Sequence, residues 1–483
     1  MNMQVRRART AFLIPFWSEE SFASKLAELQ WVNRRGKSKP VWGKVQGLRC
    51  TGRDREYSLP DEVRELDSSF QILLGAEEGA VEDRERRAWQ WIHCRADPGL
   101  IGDTYLGNVQ VRVGQGESFV HGKIERVETV LFPLGSGILT VHVTWSDVDY
   151  PGVRDAISRG RYLYRDDDRA GWRFVTEADG SRADPNHLKC LGAEMERACY
   201  GGAEVSLRQV AEWFLGGASA GMRLTSSRYA QHHSMVLLDG EPSEEERAAA
   251  LFHLRRAYPG HYSVPDGTPQ GDVILAPRGD RRIAVSREGV VSLIWGGAEG
   301  LSEYERTIWP HKFFGIYLLL GIHALGERQS LVLLASEIAS FSNSLSDMRV
   351  LKKEHHSGRL GRLLRRVVRH TTTLTADDCG GPTDWGTFFR AVREVHAVDV
   401  HLAEVRAEAT ELFQLAEATG QTRVQTILAA LGAATIPVAI VVALVQLPAF
   451  GLTDEPGWTA ALIGLAIIVG IWLYYRLSPR TWN

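Results

Sequence analysis

Near the C-terminal end of the chain, His401, Glu404, Glu408 and Glu411 follow one another at intervals of three, four and three residues. That spacing stacks side chains along one face of a helix. Carboxylate oxygens suit hard divalent cations, so this face is a candidate regulatory site for magnesium or another divalent cation. A charged, solvated helix surface accounts for the same pattern. Further on, Gln425, Gly432, Ala439 and Gln446 recur every seven residues, with Ala429, Thr435 and Ala443 beside them, all in a stretch without charge. Small and polar groups on one face of an apolar helix could line an ion path, where oxygen dipoles replace the hydration shell. They equally make close helix-packing faces. Gln446 is the best placed to touch an ion or water at the outer mouth, because an amide in hydrocarbon needs a partner. Asp454 and Glu455 come next; repeated by symmetry they would form an acidic ring that concentrates cations, and in a single copy they are an ordinary acidic loop.

A basic run, Met348 to His370, gathers Lys352, Lys353, Arg359, Arg362, Arg365, Arg366 and Arg369. It could hold an anionic nucleotide, or inner-leaflet lipid at about 1 kcal/mol per basic residue; a solvated helix face is the alternative. His355 and His356 are adjacent and so do not share a helical face. Neither a GxxxxGK[ST] phosphate loop nor an HExxH zinc motif occurs, and Gly135-Ser136-Gly137 reads as a turn. The expectation is therefore a protein that is not an enzyme.

The elements that would position these groups follow from hydropathy and charge. The 483 residues carry 56 Lys+Arg against 59 Asp+Glu, a net charge of −3, and 44% are hydrophobic. This excludes a disordered or collagen-like chain and gives no reason to expect a nucleic-acid partner. Five scattered cysteines, Cys50, Cys94, Cys190, Cys199 and Cys379, contain no C-x-x-C, which fits a reducing compartment better than a disulfide framework. The mean hydropathy of −0.17 conceals two charge-free runs, Ile427 to Leu447 and Pro456 to Tyr475, each about the 20 residues that cross hydrocarbon. Arg423 precedes the first and Arg476 and Arg480 follow the second, whereas the loop between them carries only Asp454 and Glu455. By the positive-inside rule both termini are cytoplasmic, with Trp472, Tyr474 and Tyr475 at the inner headgroups and Trp458 at the outer ones. The start of the chain, MNMQVRRARTAFLIPF, has too short an apolar run for a signal peptide. A third apolar segment, Phe313 to Gly326, contains His323 and is about 14 residues long, the length of a buried core helix.

Before the first span, the sequence reads as an α+β cytosolic domain over residues 1–300, a helical stalk over 301–423, and a two-helix transmembrane hairpin with a short tail over 424–483. Strands are expected at Thr10–Phe16, Val41–Leu48, Asn108–Val113, Ser234–Gly240 and Asp272–Pro277, and hairpins across PLGSG and across Arg287-Glu288-Gly289. Ser243 and Glu246 form a capping box ahead of a helix. Asp384 is the expected N-cap of a long helix whose seam, Ala391, Val395, Val398, Leu402, Val405, Ala409, Leu412 and Ala416, keeps coiled-coil spacing. Unbroken to Leu447 it would measure roughly 90 Å, with Gly420 and Pro437 as its weak points.

A cytosolic α/β domain, a stalk running into the first of two C-terminal spans, the text TRVQTILAALGAATIPVAIVVALVQL with Pro437 inside it, and the basic ending YYRLSPR together resemble the CorA-like metal-ion transporter superfamily. The resemblance implies a pentamer whose first span lines a pore, and intersubunit acidic sites that sense cytosolic magnesium. The family's Gly-Met-Asn motif is missing: the equivalent stretch reads Gln446, Leu447, Pro448, Ala449, Phe450, Gly451, so no selectivity residue carries over. The expected function is an oligomeric inner-membrane channel or transporter for divalent cations, gated by its cytosolic domain. The rival is a membrane-anchored sensor or effector whose hairpin anchors to or permeabilises the bilayer.

Overall fold

The computed structural model describes residues 3–18, 26–32, 38–42, 92–96, 101, 107–113, 118–164, 171–175, 204–216, 222–225, 227–264, 271–296, 300–346, 353–370, 379–380 and 382–418. Both expected spans, and with them Gln425, Ala429, Gly432, Thr435, Ala439, Ala443, Gln446, Asp454 and Glu455, lie outside these residues.

Strand β1 (Val5–Ser18) is apolar on both of its faces, the pattern of a strand covered on two sides. Even-numbered Ala8, Phe12, Ile14 and Phe16 join the main hydrophobic core, and odd-numbered Ala11 and Leu13 are buried as well. β1 lies in the middle of a sheet with β4 (Ile92–Arg95), β5 (Asn108–Arg112), β6 (Phe119–Leu131), β7 (Ser136–Trp145), β8 (Trp172–Phe174), β9 (Met222–Leu224), β10 (Gln231–Leu238), β11 (Val273–Arg278), β12 (Arg281–Val285) and β13 (Gly289–Trp295). The order is β11-β12-β13-β10-β1-β7-β6-β5-β8, with β4 on β6 and β9 on β1. β10 and β13 are parallel, and the other pairings within this sheet are antiparallel. The short strands β2 (Gln30–Val32) and β3 (Ser38–Pro40) pair only with each other.

Pro15 is tolerated in this central strand because of where it falls. β10 pairs with β1 as far as Leu13, and β9 takes over at Phe16. The Pro15 carbonyl accepts from Thr225 N–H on that side, so the missing N–H points into the gap between two neighbours and no ladder bond is lost. Both expected hairpins are present: β6 and β7 pair across a turn with Gly135 at φ +84, and β12 pairs with β13.

One face of the sheet carries helices α1 (Tyr150–Gly160) and α3 (Glu244–Arg256), with α2 (Leu207–Leu215) contributing Val210, Ala211 and Phe214 to the same core. α3 opens with the expected Ser243–Glu246 capping box, and α2 has its own in Ser206–Gln209; such caps stabilise by about 1 kcal/mol. The opposite face is covered, as far as Ser330, by a helical run that starts with a π-helical turn (Tyr304–Ile308), continues as α4 (Trp309–Lys312) and a second π-helical turn (Phe313–Tyr317), and becomes α5 (Leu318–Ser346). The described residues contain one helix long and apolar enough to cross a membrane, Tyr304–Asn343, and 72% of its most apolar window is buried inside the protein. Phe313 to Gly326 therefore packs as a core segment, as its length implied.

Two compact units emerge. The first holds Met1–Ser330 together with Ala376–Asp399, so that α7 (Thr383–Val395) packs on β11 and β12 although it lies far along the chain. The second contains Leu331–Thr375 and the chain from Val400 onward, including α6 (Lys353–Arg369) and most of α8 (Val398–Ala418).

The expected long helix from Asp384 is two helices. α7 ends at Val395 with His396 as its C-cap, and Ala397 takes φ +51 before α8 begins. No glycine or proline marks this break, and the step from Val395 to Val398 keeps the seam in phase, so the heptad pattern runs through a point where the backbone does not. Nor is Asp384 the N-cap: α7 starts at Thr383, which places Asp384 in the first turn, where a carboxylate complements the helix dipole.

Candidate functional site

On α8 the seam is buried at Leu402, Val405, Ala409 and Leu412, leaving Glu404, Glu408 and Glu411 exposed on the outer face. His401 Nδ1 lies 3.0 Å from Glu404 Oε2. Partial burial, then the charges of Glu404 and Glu411, raise the Glu408 carboxyl above its ordinary value. Among the described residues, no three His, Cys, Asp or Glu side chains are grouped to hold a metal; a cation on this face would need ligands from a second copy or from residues not described. From Lys353 to Arg369 the basic run forms α6, which buries Leu360, Leu363, Leu364 and Val367; Lys352 lies outside the described residues. Arg366 is spent on Glu337, its Nη1 2.6 Å from both carboxylate oxygens, whereas Arg362 is exposed.

The densest chemistry lies elsewhere, on the sheet face under the π-helical turns. Between Ile124 and Arg126 the β6–β7 register shifts by one residue, a bulge at Glu125 that reverses which side chains face which layer. Val127 and Leu131 thereby enter the main core, while Arg126 and Glu128 turn toward the π-helical turns. Glu128, 7% exposed, receives Arg95 Nε at 2.7 Å and lies 3.2 Å from His142 Nε2, 3.6 Å from Arg126 Nε and 3.9 Å from His93 Nε2. Burial pushes this carboxyl up, but Arg126 and the hydrogen bond from His142 outweigh it and hold the group well below the usual carboxylate range. Burial and Arg126 drive His142 well below the usual imidazole value, and burial lowers His93 too.

Three side chains from different strands tie this layer to the second π-helical turn. Arg126 Nη2 donates to the Phe314 carbonyl at 3.1 Å, His233 Nε2 contacts the Phe313 carbonyl at 2.9 Å, and the Arg9 guanidinium lies 4.3 Å above the Phe314 ring. Arg9 also pairs with Glu125 at 3.1 Å. At the first π-helical turn, Arg281 lies 3.5 Å over the Trp309 ring, and Trp309 Nε1 donates to Ser292 Oγ at 3.0 Å. π-Helical turns recur at functional sites, and here the Phe313 and Phe314 carbonyls of the second turn meet side chains from the sheet. Closed and charge-compensated, the cluster can fix the orientation of a helix; it presents no nucleophile–base pair.

The sequence held little sign of this cluster, because strict alternation along β6 puts Arg126 and Glu128 on the wrong face. One enzyme-like signature does occur: Gly217-Ala218-Ser219-Ala220-Gly221 fits GxSxG. It connects α2 to β9, helix to strand, the reverse of the strand-to-helix turn on which that motif presents a nucleophile, and the five residues lie outside those described. Cys94 and Cys379 are buried. The chain matches no known protein-family model, no curated protein and no solved structure.

Proposed function

We propose that this chain is a membrane-embedded homo-oligomer of CorA-like architecture that conducts ions, divalent cations first among them, and is gated by its N-terminal sheet unit without catalysing a reaction. The observation that carries the reading is the charge pattern of residues 423–480: two bilayer-length runs free of charge, arginine at both outer flanks and only Asp454 and Glu455 between. Such runs are expensive to leave in water and long for a soluble core. The buried seam of α8, which ends at Ala418, five residues before Arg423 in the sequence, supports a helix leading into the first span. In this reading both termini face the cytoplasm of the inner membrane, and Gln425, Gly432, Ala439 and Gln446 face the ion path.

A second reading is kept because the stretch Gln446 to Gly451 lacks Gly-Met-Asn: a membrane-anchored sensor or effector whose hairpin anchors or permeabilises the bilayer. Native mass spectrometry of the detergent-solubilised protein separates the two. A pentamer supports the channel, and leucine at Gly432 and Gln446 then abolishes flux. A monomer or dimer stable across mild detergents has too few spans to enclose a pore and leaves the sensor.

A further inference from the structure

Between α1 and the turn that follows α3 the surface opens into a groove of ≈ 330 Å³ lined by Arg154, Arg159 and His261 around the backbone of Pro259 and Gly260. It shares Val113 and Asp155 with a second groove of ≈ 560 Å³, whose wall includes Asp147 and Asp149. The two are one depression with a basic end and an acidic end, in the size range of small-molecule sites.

The basic end is built. Arg154 Nε is held by Asp155 Oδ1 at 2.8 Å, which aims the guanidinium across the groove. There it lies against Gly260, where a Cβ would come within 2.0 Å of Arg154 Nη1. With no side chain at Gly260, the Arg154 guanidinium can lie flat against this turn and form the wall; a Cβ here would push it aside. Arg159 has no carboxylate partner among the described residues, whereas Arg208, one helix away, pairs with Glu212 at 2.7 Å and Arg255 on α3 pairs with Asp272 at 2.8 Å. A place in the last turn of α1 favours a cation through the helix dipole, but it does not account for Arg154 and His261 converging on the same cavity. Two guanidinium groups and an imidazole around one cavity match the oxygens of a phosphate monoester. At the other end, carboxylates are hydrogen-bond acceptors for hydroxyl groups; Asp149 Oδ1 already accepts from Gly152 N–H at 2.9 Å and Asp155 Oδ1 from Arg154 Nε at 2.8 Å, which leaves Asp147 and the second oxygen of Asp155 for a ligand.

We propose that this depression binds a soluble phosphorylated polyol, a sugar phosphate or the ribose-phosphate part of a nucleotide, with the phosphate on Arg154, Arg159 and His261 and the hydroxyls toward Asp147 and Asp155. The proposal is independent of membrane transport. Its test is calorimetric titration of the full-length protein in detergent with ribose 5-phosphate, inorganic phosphate and ribose. Saturable binding of ribose 5-phosphate, weaker binding of phosphate and none of ribose are expected. R159Q should weaken both phosphate ligands by about ten- to a hundredfold, and D147N should weaken ribose 5-phosphate while leaving inorganic phosphate unchanged. Thermal melts matching the parent protein exclude unfolding of either variant. No saturable binding of any phosphate ligand, or binding that R159Q leaves intact, overturns the assignment.

Discussion

His233 and Phe313 hold each other in two ways: their rings stack with centroids 4.0 Å apart and planes at 26°, and His233 Nε2 lies 2.9 Å from the Phe313 carbonyl oxygen. The same carbonyl accepts the Leu318 N–H that closes the π-helical turn, so one acceptor serves both helix and sheet. A carbonyl cannot donate, and the proton must therefore be on Nε2. Burial makes a second proton costly and brings this imidazole down to about 3.

That value fixes a pH dependence. Unfolded, the histidine titrates near its ordinary value, so between about pH 6.5 and 3 the unfolded chain binds the extra proton and stability falls as pH falls. At pH 5 the loss relative to neutral pH is about 2 kcal/mol for each such group. His232 and His396 are likewise lowered to about 3 by burial. H233F should cost about 1 kcal/mol at pH 7 through the lost hydrogen bond, yet lose less stability between pH 7 and 5 than the parent. Chemical denaturation at the two pH values measures both; an acid-induced drop as steep as the parent's would remove His233 from the account.

Four of the five expected strands and both hairpins were legible because period-2 patterning and turn residues act locally: the PLGSG turn and the Arg287–Gly289 turn close real hairpins, and Ser243–Glu246 caps a real helix; of the fifth strand, Val41–Leu48, residues 43–48 lie outside the described residues. What escaped was non-local. The bulge at Glu125 shifts register without any glycine to announce it, and so hides the face on which Glu128 is buried. Ala397 breaks a helix whose seam continues in phase, and nothing in its side chain signals φ +51. The candidate stalk face was legible as a face, with the carboxylates outward and the seam inward, because helical periodicity alone determines that.

Glu128 is the charge that compensates Arg95 and Arg126, with the neutral His142 hydrogen-bonded to it. E128Q keeps the shape but leaves half-buried guanidinium groups facing a neutral amide, which costs about 2 kcal/mol. In the parent, the depressed carboxyl contributes stability above its unfolded value, and that contribution is lost as pH falls through the lower folded one. The variant should therefore unfold at lower denaturant at pH 7 and approach the parent in strong acid. A variant as stable as the parent at neutral pH would show that the cluster is not compensating buried charge.

Gly326 packs α5 tightly against the turn after β6: a Cβ there would lie 2.0 Å from Phe132 Cζ. Alanine gains up to about 1 kcal/mol of helix propensity, but overpacking against a buried ring typically costs about 1–3 kcal/mol. The second effect should win, and G326A should lower the midpoint of unfolding. An unchanged or raised midpoint would mean that Phe132 moves aside at no cost.

Glu408 distinguishes a metal-sensing stalk from a solvated one. Its carboxyl is raised by partial burial and by Glu404 and Glu411, a like-charge arrangement that destabilises an isolated helix by a few tenths of a kcal/mol per pair. If a divalent cation bridges this face in the assembled protein, magnesium should slow hydrogen exchange across His401–Glu411, and E408Q should remove that protection. Without a cation, E408Q only relieves repulsion: exchange in this segment should slow slightly in the variant and be indifferent to magnesium in both proteins. The two cases predict opposite signs for the same substitution in the presence of magnesium, so exchange measured with and without the ion decides whether the face is a ligand set or an ordinary solvated surface.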